Sequence, residues 1–148
     1  VVYHSRTKKD VPYRYFGNLT EMARSCDALI CITPGGPSTH KIVNAKVLEA
    51  LGPNGTLINV SRGSVVDEAA LIEALGSGKL GWAGLDVFEA EPVVPQALRE
   101  LPNTVLLPHV GSATVETRAA MGALTVDNLL QHLKDGTVVT PVPECADL

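Results

Sequence analysis

The chain alternates short, continuously apolar segments with segments in which apolar residues recur every three or four positions. The first kind of segment predicts strands at residues 1–3, 28–32, 56–60, 82–87 and 104–107. The second kind predicts helices at residues 19–26, 45–51 and 68–75 and from Ser112 to Leu133. Strands that are apolar at every position are typical of a parallel sheet covered by helices on both faces. The pattern therefore predicts an α/β fold.

Turn-forming and capping residues set the expected ends of these elements. Asp67 is expected to cap the helix at 68–75 and Ser112 the long helix that runs to Leu133, and Gly76 and Gly136 are expected to end these two helices. A loop is predicted over 88–102, and an extended tail over 140–148.

Composition narrows the possible classes of protein. The 148 residues are 45% hydrophobic and 19% charged, which is enough for one domain with a packed core. Twelve basic against sixteen acidic residues give a net charge of −4, which argues against a nucleic-acid partner. No apolar run approaches the ~20 residues of a membrane span.

The three cysteines are too few and too irregularly spaced for a disulfide framework or a metal site. Cys26 and Cys31 lie in apolar segments and are interpreted as buried small hydrophobes in a reducing compartment. We therefore expect a cytoplasmic protein with no metal and no membrane partner.

Chemically capable side chains follow the predicted strands. They are Ser5 and Arg6, Thr33 and Pro34, Ser61 and Arg62, Asp86 with Glu91, and His109. Ligands of open parallel sheets bind outside the carboxyl ends of the strands, so these residues mark the expected site.

Arg62, Glu91 and His109 each have an ordinary structural explanation when taken singly. Arg62 could cap a helix, Glu91 could be a solvated loop acid, and His109 could be structural. Taken together, they suit the reduction of a 2-oxo acid. A guanidinium binds a carboxylate through two parallel hydrogen bonds, and a histidine oriented by a carboxylate can act as a general acid.

Three sequence blocks carry a resemblance to a known family. They are NVSRGSVVDEAAL at 59–71, GLDVFEAEP at 84–92 and PHVGSAT at 108–114. In order and spacing they resemble the signature blocks of the D-isomer-specific 2-hydroxyacid dehydrogenases, and the resemblance covers essentially residues 1–140. The segment Tyr3-His4-Ser5-Arg6 is most similar to the glyoxylate/hydroxypyruvate reductase branch.

The resemblance implies roles for particular residues. Arg62 would bind the substrate carboxylate and carbonyl, His109 would donate the proton, and Glu91 would hydrogen-bond His109 and keep it protonated. Asp86 would contact the nicotinamide end of the cofactor. The cofactor-binding residues that it implies are Ser5, Arg6, Thr7, Thr33, Pro34, Thr39, Val60, Ser61, Arg62, Asp86, His109 and Gly111. The implied substrates are small 2-oxo acids, glyoxylate or hydroxypyruvate, reduced to glycolate or D-glycerate.

The residues after the first predicted strand bear on cofactor choice. NAD-preferring members of the family tend to carry an acidic residue there, which accepts a hydrogen bond from the ribose 2′-hydroxyl. Here the position is His4, followed by Ser5, Arg6 and Thr7. The resemblance therefore predicts NADPH as the preferred cofactor, with NADH possible. The alternative is that Arg6, Lys8 and Lys9 are only a solvated run of charge.

The glycine-rich dinucleotide fingerprint is not found in its expected place. The GxGxxG at 76–81 follows a helix and leads into a strand, so we interpret it as a helix end and a turn. The predicted fold is thus a Rossmann-like, doubly wound parallel sheet that is incomplete, without its first strand. In the order 3-2-1-4-5-6, the strands at 1–3 and 28–32 would lie across a gap from the others.

We therefore expect residues 1–134 to form part of a dinucleotide-binding domain and residues 135–148 to lead back towards a substrate domain. The implied partners are the remainder of a longer chain and a second copy in a homodimer. Two other functions stay open. The protein could be a dinucleotide-sensing, corepressor-like regulator of the same family, or these residues alone could be catalytically silent.

Overall fold

The computed structural model describes residues 1–142 and Cys145. The strands are β1 (Val2–Tyr3), β2 (Arg14–Tyr15), β3 (Ala28–Cys31), β4 (Thr56–Asn59), β5 (Trp82–Leu85) and β6 (Thr104–Leu106). The helices are α1 (Leu19–Arg24), α2 (Ala45–Leu51), α3 (Glu68–Gly76), α4 (Gln96–Glu100) and α5 (Val115–Asp135). The chain forms two compact units, Val1–His109 and Val110–Leu148.

The first unit contains a four-stranded parallel sheet in the order β3-β4-β5-β6. The α/β, Rossmann-like fold class is therefore confirmed. The short strands β1 and β2 form a separate parallel pair. The expected position of the gap was wrong, because β3 pairs with β4 along all four of its residues. Strand β1 pairs instead with β2, which has only two residues and is therefore too short for its sequence to predict a strand.

The core lies on one side of the sheet. Side chains alternate between the two faces of each strand, and those of Leu29, Leu57 and Leu85 lie on the inner face. They pack with apolar residues from α1, α2 and α3. The expectation that both faces are buried was wrong for this unit, since Ile30, Trp82 and other residues of the opposite face are about half exposed or more. The buried apolar residues of the unit come from its helices, from this one face of the sheet and from the adjoining loops, for example Val43, Leu80 and Phe88.

Several helix ends follow the sequence signals. The Asp67 carboxylate accepts a hydrogen bond from the backbone N–H of Ala70, α3 ends at Gly76, and Gly136 adopts the left-handed conformation after α5. The expected cap at Ser112 was wrong. The hydroxyl of Thr114 accepts a hydrogen bond from the Thr117 N–H, and α5 begins at Val115. The predicted loop over 88–102 contains the short helix α4.

The second unit consists mainly of α5, a helix of 21 residues. Its predicted apolar stripe exists, but none of its residues is buried within the described structure. The division of the chain into 1–134 and 135–148 stays a prediction. Most of the tail's last residues (143, 144 and 146–148) lie outside the described residues.

Of the two cysteines expected to be buried, Cys26 is only partly buried. Cys31 is buried, as expected, and burial raises the pKa of its thiol to about 12, which keeps it protonated and unreactive. Within the described residues, no helix is both long and apolar enough to cross a bilayer. The GxGxxG segment at 76–81 forms a helix end followed by a turn, as the sequence indicates, and Gly78 has a φ of +74°.

The one-sided core predicts unequal effects at two adjacent residues of β3. Leu29→Ala is expected to lower the free energy of unfolding by about 2–5 kcal/mol, since it removes buried contacts and leaves a cavity. Ile30→Ala, on the exposed face, is expected to cost about 0.5 kcal/mol. Chemical denaturation of the two variants measures the difference. Equal losses would contradict a one-sided core and show that the outer face is covered in solution.

Candidate active site

The loops after β3, β4, β5 and β6 surround an open cleft of about 670 Å³. Arg62 comes from the loop after β4, Glu91 from the loop after β5, and His109 from the segment after β6. The structure thus brings together the three residues to which the sequence assigns chemistry. They lie at the carboxyl end of the sheet, where parallel α/β folds bind ligands.

Two glycines allow these loops to approach each other. A Cβ atom on Gly63 would lie 2.0 Å from the carbonyl carbon and oxygen of Phe88, so no side chain fits there. A Cβ on Gly35 would lie 2.9 Å from Cγ of Arg62, so the aliphatic part of the arginine packs directly over that glycine. No sequence pattern pointed to either residue, although Gly63 lies inside a signature block.

Asn59 organises the turn that carries Arg62. Its side chain is almost fully buried, and its Nδ2 donates to the Arg62 carbonyl at 3.0 Å. Its Oδ1 accepts from the backbone N–H and the hydroxyl of Ser61, at 3.1 and 2.9 Å. Its carbonyl also accepts from the N–H of Asp86, which links the ends of β4 and β5. A buried amide with these partners fixes the backbone on both sides of the arginine.

Lys41 connects three loops around the cleft. Its ammonium lies 3.6 Å from carboxylate oxygens of both Asp67 and Glu89, and its backbone N–H donates to the Ser64 carbonyl. Its φ of +48° is left-handed, which is uncommon outside glycine. The ion pairs are about one-third exposed, so we expect them to orient the loops more than to stabilise the fold. No sequence pattern pointed to this residue.

Glu91 and His109 form the central contact of the cleft. Nδ1 of His109 lies 2.8 Å from Oε2 of Glu91, and Oε1 accepts from the Phe88 N–H at 2.9 Å. These hydrogen bonds, that of His109 first, lower the pKa of the Glu91 carboxyl, although partial burial and the charge of Asp86 oppose the shift. An ionised carboxylate only accepts, so Nδ1 carries the hydrogen.

The backbone of His109 is also unusual, with a φ of +56°. Left-handed conformations cost free energy for residues with a Cβ atom, and such strained residues cluster at active sites and ligand-binding segments. Here the conformation accompanies the hydrogen bond to Glu91.

The remaining predicted site residues are distributed along the same edge or away from it. Thr33 and Pro34 follow β3, Thr39 is buried with its hydroxyl donating to the Pro34 carbonyl, and Val60 is half exposed after β4. Asp86 is buried after β5. Ser5, Arg6 and Thr7 follow β1, in the separate two-stranded pair. Gly111 belongs to the second unit, and its role in cofactor binding stays a prediction.

Ser61 differs most from a ligand-facing residue. It is buried, and its hydroxyl donates to Asn59. The structure therefore gives it a role in shaping the turn, and its contribution to cofactor binding stays a prediction.

Residues 1–111 match the family described as D-isomer specific 2-hydroxyacid dehydrogenase, NAD binding domain. The chain belongs to the D-isomer-specific 2-hydroxyacid dehydrogenase family. Its predicted membership is thereby confirmed, and the family's NAD-binding domain accounts for the parallel sheet and for the position of the cleft at its carboxyl end.

Relatives within the family include several reductases. A crystal structure of an NADPH-dependent glyoxylate/hydroxypyruvate reductase from Sinorhizobium meliloti, in complex with NADP and malonate, superposes with a TM-score of 0.94 at 56% identity, covering 97% of this chain and 45% of that one. Hydroxyphenylpyruvate reductase of Plectranthus scutellarioides is 51% identical over 96% of this chain and 46% of its own length. Glyoxylate/hydroxypyruvate reductase A of Arabidopsis thaliana is 51% identical over 95% and 45%. The chain spans a little under half the length of these relatives.

The Glu91–His109 contact predicts how Glu91 titrates. His109→Ala is expected to raise the pKa of Glu91 back towards its ordinary value, because the strongest cause of the lowering is removed while the Phe88 hydrogen bond remains. Carbon-detected NMR titration of the side-chain carboxyls measures the change. Asp135, whose pKa is lowered by hydrogen bonds from Thr137, is the internal control and should not move.

The sign of the linked stability follows from the same shift. A carboxyl with a lowered pKa in the folded state stabilises the fold above its ordinary pKa, and this contribution disappears as the pH falls through the lowered value. The pH dependence of unfolding should therefore be shallower in this acidic range for His109→Ala. An unchanged Glu91 titration in the variant would contradict the hydrogen bond.

Proposed function

We propose that the protein containing these 148 residues reduces small 2-oxo acids, glyoxylate or hydroxypyruvate, with NADPH as the hydride source. The observation that carries the proposal is the hydrogen-bonded Glu91–His109 pair in the same cleft as Arg62. The named relatives support it, because the Sinorhizobium reductase was crystallised with NADP and malonate, and other similar proteins are 2-oxo acid reductases.

Each residue of the cleft would contribute one part of the reaction. The Arg62 guanidinium would bind the substrate carboxylate through two hydrogen bonds and polarise the adjacent carbonyl. With Nδ1 of His109 held by Glu91, Nε2 is the nitrogen that can give a proton to the carbonyl oxygen. A carboxylate partner holds the imidazole in one tautomer and one orientation, which suits a proton donor. NADPH, when bound, supplies the hydride to the carbonyl carbon, and the product is a 2-hydroxy acid.

The strand ends fit a dinucleotide. The hydroxyl oxygen of Thr33 is buried and has no hydrogen-bond partner among the described residues. A polar group of a bound ligand would supply the missing hydrogen bond. Thr33, Pro34, Val60 and Asp86 would line the cofactor along the carboxyl edge of the sheet, with Val60 offering an exposed apolar contact.

The segment after β1 supports a preference for NADPH. Residues 4–9 contain no carboxylate to repel a 2′-phosphate. Nδ1 of His4 is hydrogen-bonded to the Phe16 carbonyl, whereas the side chain of Arg6 is exposed. A guanidinium in such a position would pair with a phosphomonoester, and Thr7 would add a hydroxyl donor. The Ser5 hydroxyl donates to the Thr7 carbonyl, so its part in cofactor binding stays a prediction. The cytoplasmic location, expected from the cysteines, and the homodimer, implied by the resemblance, stay predictions.

The corepressor-like alternative is less well supported, because the similar proteins named above are reductases. An assay of the full-length protein with glyoxylate, hydroxypyruvate and pyruvate, each with NADPH and with NADH, tests the proposal directly. Turnover of none of the three acids would contradict it.

His109→Ala is expected to lower kcat by about 100- to 10,000-fold, the range attributed to a general acid. Binding of NADPH should change little, since the imidazole acts on the substrate. Steady-state rates and a cofactor titration of the same preparation measure the two effects. His132→Ala, which removes an exposed histidine of α5, is the matched control and should keep the parent rate. A His109→Ala enzyme of ordinary kcat would exclude this residue as the proton donor.

Arg6→Ala is expected to weaken NADPH binding roughly 10- to 100-fold, as the loss of a hydrogen bond between charged groups would. NADH binding should stay within about twofold, because NADH lacks the 2′-phosphate. Dissociation constants for both cofactors, measured by fluorescence titration, give the comparison. Equal weakening of the two cofactors would remove the argument for phosphate recognition and favour the solvated-charge alternative.

A further inference from the structure

Two tyrosines of the small β1–β2 sheet contact the segment that carries Arg6. Tyr3 ends β1 and Tyr15 ends β2, and the two residues are paired in register. Their ring centroids are 5.4 Å apart, so they form an aromatic pair beside residues 5–9. Neither tyrosine belongs to the cleft of Arg62, Glu91 and His109.

The Tyr3 hydroxyl fixes the far end of this segment. It donates to the Lys9 carbonyl at 2.9 Å and accepts from the Lys9 N–H at 2.7 Å. One hydroxyl therefore satisfies both backbone groups of a single residue.

The Tyr15 hydroxyl fixes the near end. It donates to the Ser5 carbonyl at 3.1 Å, and the Ser5 hydroxyl in turn donates to the Thr7 carbonyl at 2.5 Å. Arg6, Thr7 and Lys8 thus lie between two backbone anchors, each provided by a tyrosine hydroxyl. The three residues themselves are exposed.

We propose that Tyr3 and Tyr15 are positioning residues for cofactor specificity, because their hydroxyls hold residues 5–9 in the conformation that binds a ribose 2′-phosphate. This inference rests on the proposed preference for NADPH. A loop that is ordered before binding loses less conformational entropy when it meets its ligand, so it binds more tightly. The benefit is confined to ligands that carry the 2′-phosphate, since the loop's cationic and hydroxyl groups would serve that group alone.

The aromatic pair makes the role of the hydroxyls separable from a role in folding. Tyrosine-to-phenylalanine substitution keeps both rings and their packing and removes only the hydrogen bonds to the loop. Tyr13 supplies a matched control in the same region, because its side chain is half exposed and its hydroxyl has no hydrogen bond to the described residues.

The experiment titrates two probes, adenosine 2′,5′-bisphosphate and adenosine 5′-phosphate, into the protein by calorimetry. Tyr15→Phe loses one ordinary hydrogen bond and is expected to weaken bisphosphate binding roughly 3- to 10-fold. Tyr3→Phe loses two and is expected to weaken it at least as much. Binding of the 5′-monophosphate should stay within about twofold in both variants. Tyr13→Phe should bind both probes as the parent protein does. Melting temperatures of all variants establish that each is folded, and either tyrosine variant alone carries the test if the other does not fold.

The outcomes separate this inference from the function on which it rests. If Arg6→Ala loses bisphosphate affinity while the two phenylalanine variants keep it, the positioning role is overturned and the NADPH preference stands. If Arg6→Ala has no effect on the bisphosphate, the preference itself fails. Equal weakening of both probes in the phenylalanine variants would also overturn the inference, because it would show a general effect on the nucleotide site.

Discussion

The close approach of Gly63 to the Phe88 carbonyl is the contact on which the arrangement of the cleft depends. At 2.0 Å from the backbone, the position of a Cβ atom is already occupied, so the loops after β4 and β5 can meet only at a residue without a side chain. This contact brings Arg62 to the cleft that Glu91 lines. Without it, the guanidinium and the carboxylate would follow neighbouring strands but would be separated by the width of at least one side chain.

Polar interactions then refine what the backbone contact allows. The buried side chain of Asn59 is hydrogen-bonded to Ser61 and to the Arg62 carbonyl and so fixes the turn that carries Arg62. Lys41 reaches across from the loop after β3 with two partly exposed ion pairs, which contribute little free energy but restrict the loop that precedes Glu91. The Phe88 N–H completes the set by holding one oxygen of Glu91 and leaving the other for His109.

The sequence predicted the parts of this protein that local pattern and chemistry determine. Apolar runs and capping residues located the main strands and helices, and the blocks around Arg62, Glu91 and His109 identified the family. The pattern could not reveal β2, because two residues carry no periodicity, and for that reason the gap in the strand order was misplaced. It also could not distinguish an apolar residue that is buried, such as Leu29, from one that is exposed, such as Ile30. Gly35, Asn59 and Lys41 act through tertiary contacts, which no local pattern encodes.

The exposed side of the sheet has a practical consequence. Trp82 is the single tryptophan of the chain and lies on that face with 57% of its surface accessible. Indole emission shifts to shorter wavelength when water is withdrawn from the ring, and it becomes less accessible to ionic quenchers. The chain therefore contains its own fluorescent reporter for whatever segment or molecule comes to cover the outer face of the sheet, and reading it requires no label and no substitution.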